Sequence, residues 1–73
     1  MSSSLVWYVP SKRNSFSCNL NLRNALINEF GDSFVLNKEK IPYLEGLAVG
    51  YPEAQKLITL INLYNEIEMH IEY

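Results

Sequence analysis

"LYNEIEMHIEY", residues 63 to 73, decides how this chain is folded. It follows a run in which Ala54, Leu57, Ile58, Ile61 and Tyr64 recur at the i, i+3, i+4 spacing of a buried helix face. Continued as a helix, that stripe would carry Asn65, Glu68 and Glu72 inward and place two carboxylates in the core. Read with a period of two, the same residues alternate without a fault. Ile67, Met69, Ile71 and Tyr73 fall on one face, and Glu68, His70 and Glu72 on the other. The period changes at Asn65, a residue suited to the left-handed conformation that closes a helix. The spacing predicts a turn there and a closing strand over 67–73.

Working outward, "LVWYV" (5–9) is β-branched and aromatic and stops at Pro10, which predicts a strand over 4–9. Leu5, Trp7 and Val9 would face one side, Val6 and Tyr8 the other, and apolar residues on both faces suit the middle of a sheet. Residues 10–18, "PSKRNSFSC", read as a polar loop interrupted by Phe16. Leu22, Ala25, Leu26 and Phe30 then fall at helical spacing, with Asn19 or Asn21 as N-cap and Gly31 as the stop, predicting a helix over 20–30. A short strand over 33–36 follows. Pro42 and Pro52 each belong in a first helical turn, giving helices over 41–49 and 52–64, the former burying Leu44, Leu47 and Ala48 and ending at Gly50.

The expected architecture is a small α+β domain of order β-α-β-α-α-β, residues 1–73 forming one compact domain. Its three-stranded, mostly antiparallel sheet pairs the first strand with the last, and three helices cover one face. A chain of 73 residues has a small core, and its lone cysteine, Cys18, allows no internal disulfide to reinforce it. That usage points to a reducing compartment, and the cytoplasm is the expected location. No apolar stretch approaches the roughly 20 residues that span a bilayer, and no basic region precedes the five-residue apolar run near the start. Neither a membrane span nor a signal peptide is expected.

The net charge of −2 hides an asymmetry. Residues 1–28 hold Lys12, Arg13 and Arg23 and no acid, whereas residues 43–73 hold Glu45, Glu53, Glu66, Glu68 and Glu72 against Lys56. Catalytic chemistry has little to work with. Cys18 and His70 are the only thiol and imidazole, and nothing in the spacing brings them together. Glu68, His70 and Glu72 in a row on a strand stand about 7 Å apart, too far to converge on one ion. The three glycines make no phosphate-cradling loop. No catalytic residues, cofactor or metal are expected.

Two binding readings remain. In the first, Val6, Tyr8, Glu68, His70 and Glu72 lie on the uncovered face of the sheet and form an acidic surface for a protein partner. Small cytoplasmic chains without motifs are often accessory proteins of phages or mobile elements that inhibit a host or defence protein. A non-enzymatic inhibitor of that kind is the leading expectation. The closing strand at a sheet edge would also allow a homodimer. In the second, Lys12, Arg13, Phe16 and Arg23 contact nucleic acid, a reading disfavoured by so few cations in an acidic chain.

Overall fold

The computed structural model describes residues 4–9 and 11–72. They form β1 (Ser4–Tyr8), β2 (Arg13–Phe16), α1 (Leu20–Phe30) and β3 (Ser33–Asn37), then a 3-10 turn (Lys38–Lys40), α2 (Ile41–Gly50), α3 (Ala54–Tyr64) and β4 (Glu66–Glu72). The class is α+β, with three α-helices and a four-stranded antiparallel sheet among the described residues. The strand-stopping role of Pro10 and the inward placement of Tyr73 lie outside those residues.

Local chemistry sets the helix ends. The Asn19 side chain accepts the Leu22 amide proton at 2.8 Å and caps α1, a contact worth about 1 kcal/mol. Gly31 closes the same helix at φ 95°, its N–H donating to the Ile27 carbonyl at 2.7 Å. Pro42 opens α2, where its missing N–H costs nothing. Pro52 lies in the turn before α3, which starts at Ala54 rather than at 52. Asn65 takes φ 72° and donates its N–H to the Ile61 carbonyl at 2.7 Å, so the helix ends and the period changes at that residue.

The sheet order is β2-β1-β4-β3. β1 and β4 pair antiparallel in the middle, with Val6 opposite His70 and Trp7 opposite Met69. Two expectations are corrected here. "RNSF", read as loop, is the fourth strand, paired along β1 from Leu5 opposite Phe16 to Tyr8 opposite Arg13. It has little strand propensity of its own and is held by the hairpin, whose Val9 N–H donates to the Lys12 carbonyl at 3.3 Å. Second, the closing strand, expected at an edge where it could form a dimer, is interior: β1 and β3 lie on the two sides of β4 (Glu66–Glu72).

The core lies between the sheet and the helices. Leu5, Phe16, Leu36, Ile67 and Met69 from the strands meet Leu22, Leu26, Leu44, Ala54, Leu57, Ile58 and Ile61 from the helices. Burying each leucine or isoleucine contributes about 1.5–3 kcal/mol before chain entropy is counted. Trp7 and Val9 pack partly against this core, as do Leu47 and Ala48. Tyr64, expected at the end of the buried stripe, is instead exposed and leans on Trp7 with ring centroids 5.9 Å apart. The last buried position of the stripe is Ile61, one turn before Asn65 ends the helix.

Candidate functional site on the outer face of the sheet

Strand alternation places Val6 and Tyr8 of β1, Arg13 and Ser15 of β2, and Glu66, Glu68, His70 and Glu72 of β4 on the face away from the helices, with Ser33 and Val35 of β3 beside them. The structure therefore brings together Val6, Tyr8, Glu68, His70 and Glu72, the residues the alternation assigns to this side. Val6 differs from expectation in one respect: it is 0% exposed and offers no contact area. It sits in register between Ser15 and His70, outside the helix-side core, so it serves the face as packing.

Around it runs a connected polar network. The Tyr8 hydroxyl donates to Glu72 Oε2 at 2.8 Å, and Arg13 Nε donates to Glu72 Oε1 at 2.9 Å. Arg13 Nη2 also lies 2.9 Å from Glu72 Oε1. The Arg13 hydrogen bond, then that of Tyr8, holds the Glu72 carboxyl below its ordinary value. The hydrogen bond to Glu72, then burial, pushes the Tyr8 phenol up, with Arg13 acting in the opposite direction. The Tyr8 ring meets His70 edge-on, with centroids 5.3 Å apart and planes at 87°.

His70 is gripped at both nitrogens. Nδ1 lies 3.0 Å from Ser33 Oγ, and Nε2 lies 3.3 Å from Glu68 Oε2. An imidazole protonated at Nε2 satisfies both, donating to Glu68 and accepting from Ser33. The ring is thus fixed between three strands. A concavity of about 420 Å³ opens over this patch, lined by Tyr8, Glu68, His70, Ile71 and Glu72. Ser33 and Arg13 are the members that sequence reasoning missed. Ser33 was legible only as a strand residue, and Arg13 lay in what read as loop.

The electrostatics of the face are lopsided. It carries three of the eight acids and one of the six Lys and Arg residues, leaving five of each elsewhere. The whole formal charge of −2 therefore resides on this face. Arg13 neutralises Glu72, and Glu66 and Glu68 are left as exposed carboxylates.

The other candidates separate. Phe16 is 7% exposed and belongs to the helix-side core, so its ring is closed to stacking with a base. Arg13 is engaged by Glu72, Arg23 is half-buried with Nη2 donating to Asn24 at 3.2 Å, and Lys12 is exposed. Cys18 packs against the helix-side core, across the sheet from His70, so the two make no catalytic pair. Burial, then Glu53, raises its thiol pKa. Among the described residues, no three carboxylate, imidazole or thiol groups converge as a metal site would require. No helix among them is long and apolar enough to cross a membrane. Comparison with protein-family models, with characterised proteins and with solved structures gave no match to this chain.

Proposed function

We propose that this chain is a small non-enzymatic interaction module whose outer sheet face binds a protein presenting a basic surface. The observation that carries this reading is the concentration of the entire excess negative charge on one face, around a tyrosine and a histidine held rigid by hydrogen bonds. Fixed aromatic groups ringed by charge suit the centre of an interface, because little side-chain entropy is lost when they dock. A partner whose basic surface otherwise meets nucleic acid would be blocked by such a face. Stoichiometric inhibition of a protein of that kind is the activity we propose. The nucleic-acid reading of residues 12–23 is weaker, since Phe16 is buried and Arg13 is already paired.

The test is capture from nuclease-treated lysate by the unaltered chain and by a Glu66→Lys, Glu68→Lys double variant. A protein retained by the first and lost by the second supports the reading. Equal retention by both, or loss of the signal on nuclease treatment alone, overturns it.

A further inference from the structure

On the helix side, the outer edge of β2 runs beside a groove of about 380 Å³, away from the acidic face. Trp7 and Phe16 line it from the sheet, Lys56, Thr59 and Leu60 from α3, and Ser15 from the strand edge. Leu63, one turn beyond Leu60, is 66% exposed and continues the apolar strip along α3.

The hairpin fixes which backbone groups face this edge. Val9 and Lys12 form a hydrogen-bonded pair. Bonded and non-bonded pairs alternate along an antiparallel ladder, so Trp7 with Asn14 and Leu5 with Phe16 are bonded, and Tyr8 with Arg13 and Val6 with Ser15 are not. The other side of the sheet agrees, since the Ile71 N–H donates to Asp32 and so points toward β3. The N–H and C=O of Arg13 and Ser15 therefore point outward, away from β1. β1 is the only described strand beside β2.

We infer that the edge of β2 and the adjoining groove accept an extended acidic peptide, which adds as a fifth strand. The site uses the main chain of Arg13 and Ser15, whose side chains belong to the acidic face, and does not rest on the function proposed for that face. Arg13 and Ser15 supply main-chain hydrogen bonds, and alternate peptide side chains reach the groove beside Trp7 and Leu60. Charge complementarity sets the class of occupant: Lys56 is the only charged residue lining the groove, and exposed Lys12 precedes β2 at the hairpin. A peptide whose groove-facing positions, every second residue, carry apolar and acidic side chains in turn satisfies both the strip and the lysine.

The probe is a blocked valine–glutamate peptide repeating threonine, valine, threonine, glutamate, which brings valine and glutamate in turn to the groove, with lysine in place of glutamate as control. Trp7 is the only tryptophan, so its fluorescence reports the groove alone. The expected result is saturable binding of the valine–glutamate peptide, new exchange protection at the Arg13 and Ser15 amides, and about tenfold weakening in Lys56→Glu. Ser15→Pro removes an outward N–H that β1 does not use, an edge position that tolerates proline, and should abolish binding with the fold retained. Equal binding of the lysine peptide, no response at millimolar peptide, or protection falling on β3 instead would overturn the inference. So would protection of Arg13 and Ser15 that rises with protein concentration alone, since a second copy would then hold the edge.

Discussion

Tyr8 donates its hydroxyl to Glu72 across 64 residues of sequence, and Arg13 completes the grip from the neighbouring strand. One carboxylate thus joins β1, β2 and β4. Its lowered pKa makes it a pH-dependent brace. As pH falls below the ordinary value of 4.5, the unfolded chain takes up the proton before the folded one. The stabilisation is complete above 4.5 and is lost as pH falls through the lower, folded value. Urea denaturation from neutral pH down to about pH 3 should show this loss, and Glu72→Gln should flatten it. Tyr8→Phe and Arg13→Gln should each return the Glu72 carboxyl toward 4.5 in an NMR titration.

Asn65 occupies φ 72° at the junction between α3 and β4, a region that costs most side chains about 1–2 kcal/mol. Asn65→Gly should raise the urea midpoint slightly, and Asn65→Val should lower stability by about 1–2 kcal/mol. Equal midpoints for the two variants would show that the junction does not impose this conformation.

Adjacent residues of β4 should respond oppositely to truncation. Met69 is fully buried between sheet and helices, so Met69→Ala should cost about 2–5 kcal/mol. Glu68 is exposed on the opposite face, and Glu68→Ala should change stability by no more than about 0.5 kcal/mol. Thermal melts of the two variants check the alternation directly.

Cys18 should behave as a sluggish thiol. Burial and the nearby Glu53 raise its pKa, which lowers the thiolate fraction at neutral pH. Its reaction with a disulfide reagent should be slower than that of a free cysteine, and unfolding in urea should remove the difference.

Much of this architecture is legible in local chemistry. Asn19, Gly31, Pro42 and Asn65 mark helix ends through caps and backbone preferences that act within a few residues. The period of two over residues 67–72 places Glu68, His70 and Glu72 together without knowledge of any other strand. β2 was hidden because "RNSF" has only one apolar residue and forms a strand by pairing with β1 rather than by its own preference. The remaining hint lay in β1, apolar on both faces and so in need of neighbours on both sides. The burial of Val6 and the meeting of Arg13 with Glu72 depend on cross-strand register, which no local pattern carries. Period alone places a side chain on a face; it does not say what shields it there.

The interior position of β4 also governs the order of assembly. It is the last described element in the chain, yet it alone joins the β1–β2 hairpin to β3. Until it is synthesised, the earlier strands amount to a two-stranded ribbon and a solitary strand, neither stable by itself. Closing the sheet means bringing β1 and β4 together across most of the chain, a long-range pairing of the kind that slows folding. This chain should therefore fold in one late step, and stalling translation before Glu66 should leave a polypeptide with helical tendencies and no sheet.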